Sequence, residues 1–163
     1  MEFLDVINDE DIVIGRASKE EIYEKSLQHR IVHVLIFNER GEMALQLRSK
    51  NVSFCPSYWS TTVGGHVQAG ESYEEAALRE FQEELGITTK IDFMAKDKYI
   101  DKRPLKKFLG TFKTIYNGPF NVDPQAVEKV EFFSLEKIQE MVKNGDKIHP
   151  ELLFLLKKHF GIQ

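Results

Sequence analysis

The chain has 163 residues, 42% of them hydrophobic and 29% charged, with a formal net charge of −4 at neutral pH. That size suits one domain (1–163) with its own apolar core, and the acidic excess argues against a general nucleic-acid binder, which carries a basic surplus. A lone cysteine, Cys55, excludes an internal disulfide framework and fits a reducing cytoplasm, the longest apolar run (31–37) is too short to span a membrane, and residues 1–5 lack the build of a signal peptide.

Residues 3–7 and 12–15 are expected as two short strands about the acidic turn Asn8-Asp9-Glu10-Asp11, and Ser18-Lys19-Glu20-Glu21 has the form of a capping box opening a short helix. Residues 31–37, the turn Asn38-Glu39-Arg40-Gly41 and residues 43–48 predict a hairpin, with His33 buried on its first strand. A strand at 59–63 leads straight into Gly64-Gly65, with Trp59 expected in packing. Then comes a helix from about 73 to 85, followed by strands at 90–100, 107–116 and 130–133. Ser134 caps a helix running to about 143, and Pro150 begins a last helix whose Leu152, Leu153, Leu155, Leu156 and Phe160 supply core contacts.

The most informative stretch lies at 65–87. Gly65, Glu71, Arg79, Glu80, Glu83, Glu84 and Gly86 stand in the pattern G-x5-E-x7-R-E-U-x-E-E-x-G-U, where U is apolar. With seven fixed positions, a chance match in a chain this long is on the order of one in a million. Glu80, Glu83 and Glu84 fall at i, i+3, i+4 on one helical face, while Leu78, Phe81 and Leu85 mark an apolar stripe on another. Three crowded carboxylates repel one another unless a cation lies between them, and hard oxygen ligands suit Mg²⁺ or Mn²⁺. Ala76 and Ala77, one turn earlier, are expected to leave room for a ligand. Arg79, spaced i, i+4 from both Glu75 and Glu83, is placed to orient a ligand carboxylate, and Glu71 opens the helix beside Ser72. Gly64-Gly65 and Gly70 let backbone approach metal or phosphate, and Gly86 terminates the helix.

This pattern resembles the Nudix box, the signature of hydrolases that cut a diphosphate joined to some other group. The resemblance implies an α/β (α+β) fold, the Nudix α/β/α sandwich around a mixed sheet. It implies metal ligation by Glu80, Glu83, Glu84 and the Gly64 carbonyl, with Arg79 and Glu71 supporting them from behind. The reaction implied is water attack at phosphorus, Mg²⁺-dependent (Mn²⁺ serving as well), on a small-molecule diphosphate. The water is activated by Glu83 or by a residue outside the box. Family members are often dimers, so a homodimer is a further expectation.

Outside the box, Asp5-Val6-Ile7 through Ile14-Gly15, His29-Arg30-Ile31-Val32-His33, Arg48 and Pro56-Ser57-Tyr58-Trp59 resemble the isopentenyl-diphosphate-isomerase-like branch. The isomerase itself is disfavoured. Gly64 stands where it needs a cysteine, Glu21-Ile22-Tyr23 lacks its second metal-binding histidine, and Lys106-Lys107-Phe108 replaces its paired glutamates. His29 and His66 match its metal-binding histidines; without co-ligands they are expected to pack or hydrogen-bond, with His66 the better candidate to touch substrate. Arg48 matches an arginine that grips the diphosphate, although Val52 replaces the neighbouring lysine. A diphosphate sensor without turnover is the other-class alternative, disfavoured by the complete carboxylate set. The cations of 96–107 form either a phosphate-attracting rim or a lysine-protected strand edge.

Overall fold

The computed structural model describes residues 1–163, as nine strands and four helices in a mixed α+β fold with a mixed sheet, the class expected. The chain forms two compact units, each assembled from two stretches: Met1–Val34 with Val63–Lys113, and Leu35–Thr62 with Thr114–Gln163. No helix is long and apolar enough to cross a membrane.

In the first unit, β1 (Phe3–Ile7) and β2 (Val13–Ser18) form an antiparallel pair. The second strand extends further than expected because Ala17 pairs with Leu4 and both are buried, which draws the strand on to the helix cap. Ser18 accepts from Glu21 N at 3.2 Å and opens α1 (Lys19–Glu24), whose Ile22 packs with Leu4 and Ala17. The first half of β3 (His29–Phe37) pairs antiparallel with β6 (Val63–His66), setting His33 opposite Gly64 and Val32 opposite Gly65. His33 is buried, at 5% exposure. β7 (Asp92–Ile100) and β8 (Lys106–Ile115) form a hairpin, and α2 (Tyr73–Leu85) lies between β6 and β7 in sequence.

In the second unit, β4 (Met43–Arg48) pairs with β5 (Trp59–Thr61) on one edge and β9 (Val127–Phe133) on the other. A parallel bridge joins Trp59 to Ile148, and Trp59 meets Phe133 edge-on at 5.1 Å, the packing expected of it. α3 (Leu135–Lys143) starts at the Ser134 cap, and α4 (Pro150–His159) buries Leu152, Leu155 and Leu156, with Leu153 and Phe160 half-buried. The single strand expected at 59–63 is two strands. At Thr62 the chain changes partner, from β4 to β3, and a change of partner leaves no mark on local hydrophobic alternation.

Candidate active site

α2 occupies the expected helix, 73–85. Ser72 accepts from Glu75 N at 3.1 Å while the Glu75 carboxylate accepts from Ser72 N at 3.1 Å, a complete capping box. Gly86 ends the helix at φ 71°, a left-handed conformation that glycine adopts without a Cβ penalty. Phe81 and Leu85 face the core, whereas Leu78 is half-buried. Ala76 and Ala77 are fully buried, which corrects the expectation that they leave room for a ligand: their small size is used in packing the helix.

The carboxylates divide two and one. Glu80 and Glu84 are half-buried neighbours that share a hydrogen bond, and the Gly64 N–H donates to Glu84. Burial, first, and the Glu80 charge, second, push the Glu84 carboxyl up to about 9, with Gly64 opposing. Glu80 is also raised, chiefly by burial and further by Glu83 and Glu2, against the pull of Arg79. Glu83 turns outward, its side chain 58% exposed, and lies 3.3 Å from Arg79. No three His, Cys, Asp or Glu side chains therefore converge as a ready-made cage.

Arg79 gathers this end of the site. Its guanidinium donates to both oxygens of Glu71 at 2.7 and 3.0 Å, to Glu80 at 3.0 Å, to Glu83 at 3.3 Å and to the His66 carbonyl at 3.0 Å. Of its two expected i, i+4 partners it takes Glu83, while Glu75 is held in the capping box. Glu71 also accepts from Gln68 N at 2.7 Å; burial disfavours its charge, but Arg79 and Gln68 outweigh that and hold its carboxyl below the ordinary range. Glu71 and Arg79 thus fix the loop to the helix.

The glycine strand is fitted to the acids. A Cβ built on Gly65 would lie 2.4 Å from the Glu80 carboxylate, so this position admits hydrogen alone if Glu80 is to stay in place. The donor set, two half-buried carboxylates that resist simultaneous ionisation with a third beside them, matches what a small divalent cation requires.

Two residues outside the box join the site without any local signal in the sequence. β1 docks on the loop through Ala69 N to Phe3 O at 2.8 Å and Gly70 N to Asp5 Oδ2 at 3.0 Å, which brings Glu2 Oε1 to 3.9 Å from His66 Nδ1. Tyr23, on α1, places its hydroxyl 2.6 Å from His66 Nε2, and its ring meets both His29 and His66 edge-on. His29 is fully buried with Nδ1 2.9 Å from the Leu27 carbonyl. Both histidines pack and hydrogen-bond, as expected where the isomerase-type co-ligands are missing. Arg48 belongs to the second unit, where its guanidinium donates to the Phe54 carbonyl at 2.8 and 3.0 Å and ties down the loop that follows β4.

A second polar network secures the helix start. Asp11, at φ 63°, accepts from Arg30 at 2.7 Å, Lys96 at 2.9 Å and the Tyr73 hydroxyl at 2.9 Å. It joins the β1–β2 turn, β3 and β7 to the first residue of α2.

The NUDIX domain model matches residues 27–156. The chain is 31% identical over 138 residues to YfcD of Escherichia coli, an uncharacterized Nudix hydrolase, covering 84% of this chain and 76% of that protein. Among solved structures, DR0079 of Deinococcus radiodurans shares the fold at a TM-score of 0.83 with 24% identity, over 96% of this chain and 98% of its own. The NUDIX domain of Shewanella oneidensis NrtR, solved in complex with ADP ribose, aligns at a TM-score of 0.60 and 17% identity, covering 86% and 96%. With a glycine strand seated on a half-buried acid pair and a family model spanning most of its length, the chain belongs to the Nudix family and is a Nudix hydrolase of the pyrophosphohydrolase type.

Proposed function

We propose that this protein is a Mg²⁺-dependent hydrolase, Mn²⁺ serving as well, of a diphosphate bond in a nucleoside-diphosphate-linked or related small molecule. Nudix hydrolases generally use divalent ions. The observation that carries the reading is the half-buried Glu80–Glu84 pair beside Gly64-Gly65, with Glu83 on the same helix. These three carboxylates and the Gly64 carbonyl are the groups that would hold the ion. To hold it, Glu84 would have to be deprotonated and Glu83 freed from Arg79. A bound ion supplies charge neutralisation of the diphosphate and a more acidic water.

The chain's own groups do the rest. Arg79 keeps Glu80 aligned through the rearrangement, because Glu71 anchors the guanidinium from the opposite side. Glu83, the most exposed of the three acids, accepts the proton of the attacking water. Of the two outside candidates, His66 stands at the end of the glycine strand with its imidazole held by Tyr23, whereas Arg48 is engaged with the Phe54 carbonyl in the second unit. The isomerase-like branch remains our assignment within the family, in its hydrolase form, because Gly64 offers no thiol for proton transfer at carbon. We assign the protein to the cytoplasm, with a small-molecule substrate, no nucleic-acid or membrane partner, and homodimerisation.

The test is phosphate release from a panel of nucleoside-diphosphate derivatives, beginning with ADP ribose, and of isoprenyl diphosphates, with Mg²⁺ and with chelator. We expect turnover with Mg²⁺, none with chelator, and a loss of at least ~100-fold in kcat for Glu83→Gln with the fold intact. Activity of Glu83→Gln within a few-fold of the parent would remove that residue from its assigned role. Calorimetric binding across the panel without product would mean a sensor.

A further inference from the structure

We propose that the outer edge of β2 is a self-pairing surface, which joins two copies of this chain by antiparallel β2–β2 contact centred on Ile14. This deepens the homodimer assigned above, on which it rests. β1 and β2 form a two-stranded sheet of their own. The outer side of β1 is taken: Leu4 bridges Gln68, and Ala69 N donates to Phe3 O at 2.8 Å. β2 has β1 on one side and no strand on the other. Such an edge offers its backbone N–H and C=O groups as a template for a further strand.

Two other outer strands are guarded. β7, with β8 on one side only, carries the exposed Lys96 and Lys98 near its centre, and lysines discourage pairing at an edge. β5 is three residues long, and its Trp59 is bridged by Ile148. β2 contains neither lysine nor proline. Instead Ile12, Val13 and Ile14, at the entry to the strand, are 59%, 47% and 64% exposed. Ile14 is the extra residue of a bulge, since the register passes from Val6–Gly15 to Ile7–Val13, and so has no partner on β1. Three consecutive β-branched side chains suit strand pairing, and left in water they mark an interaction surface.

The occupant follows from charge. The segment runs from an acidic turn, with Asp9 and Glu10 exposed, through Ile12-Val13-Ile14 and Gly15 to the exposed Arg16. Two such strands lying antiparallel about Ile14 set that residue against its own counterpart, Val13 against Gly15, and Ile12 beneath the stem of Arg16. Glycine makes room for the valine opposite. Each Arg16 then lies toward the other copy's acidic turn, twice over by symmetry. Parallel pairing would set Arg16 beside Arg16 and acid beside acid. The patch therefore matches a second copy of itself, and a two-fold contact uses up both edges and stops at two. The surface is small, which places Kd on the order of 10 µM.

The experiment is sedimentation equilibrium of the full chain at low ionic strength, from about 1 to about 200 µM. Wild type should pass from monomer to dimer across that range. Ile14→Lys, which sets two ammonium groups against each other at the two-fold axis, should weaken association at least ~10-fold. Arg16→Glu and Glu10→Arg should each weaken it about threefold or more. Together they should return it to within about twofold of wild type, because the attraction is restored with its signs exchanged. Ile100→Lys, at a comparably exposed apolar residue of β7, should stay within about twofold. All four altered side chains are exposed, so circular dichroism should not change. Wild type that remains monomeric throughout overturns the surface and the homodimer together. A wild-type dimer that Ile14→Lys leaves intact, a double charge variant as weak as the singles, or an equal loss in Ile100→Lys overturns the surface and leaves the homodimer standing. No turnover is read, so the hydrolase assignment stands or falls separately.

Discussion

A methyl group at position 65 would lie 2.4 Å from the Glu80 carboxylate, and that single distance explains why glycine stands in the strand beside the acids. Gly65→Ala should displace Glu80 and cut hydrolysis at least ~10-fold, with circular dichroism unchanged, since strain concentrates on a half-buried side chain rather than on the core. An alanine variant of full activity would show that Glu80 need not hold its position. Glu84 makes a second claim at this scale. Burial and Glu80 hold its folded-state carboxyl up to about 9, against an ordinary value of 4.5. Between those limits the folded state binds more protons than the unfolded chain, so stability falls as pH rises through the window. The metal-free protein should melt ~5 °C lower or more at pH 9 than at pH 6, and Glu84→Gln, a mimic of the protonated acid, should flatten that slope. A parent protein whose melting point does not fall over that range would contradict the buried acid pair. The spacing of Glu80, Glu83 and Glu84 was legible in the sequence because it is a helix-face pattern. Their division into a buried pair and an outward third was not, since Arg79 takes Glu83 through a choice of rotamer.

At the level of elements, α2 was legible to its ends because its caps, its period and its glycine stop are all local. What anchors its first residue is not. Tyr73 gives its hydroxyl to Asp11 at 2.9 Å, 62 residues earlier, and its ring closes against Gly110, where a Cβ would lie 2.4 Å from Tyr73 Cδ1. Gly110→Ala should therefore cost about 1–3 kcal/mol, because ring and hydroxyl cannot both keep their places. Urea unfolding measures this, and a loss below ~0.5 kcal/mol would mean that the ring moves freely. The same non-locality hid Tyr23, 43 residues from His66, and Glu2, whose place depends on β1 docking against the loop. It also hid the break at Thr62, where pairing partners change while the alternation of residues carries on. Ala76 and Ala77 mislead for a related reason: a small residue serves a tight helix contact as well as a ligand space, and sequence alone does not separate the two.

For the whole molecule, contacts divide the chain into two compact units, each made of two stretches that interleave in sequence. Composition is blind to such interleaving because it carries no information on which stretches meet. The family model, at 27–156, takes in parts of both units, whereas the candidate acids, Arg79 and the glycine strand all fall within the first. A divalent ion that binds the folded chain and not the unfolded one stabilises it by mass action, about 2.7 kcal/mol at a hundredfold excess over Kd. For a chain of this length that is roughly a 5–10 °C rise in melting temperature. Mn²⁺ should therefore raise the midpoint by that amount, and chelator should reverse it. The rise should grow between pH 6 and 8, because the ion must displace the proton shared by Glu80 and Glu84. Glu80→Gln combined with Glu84→Gln removes both the ligands and the proton, so the rise and its pH dependence should disappear together. If the double variant is still stabilised as strongly as the parent, the ion is bound elsewhere and the acid pair has another purpose.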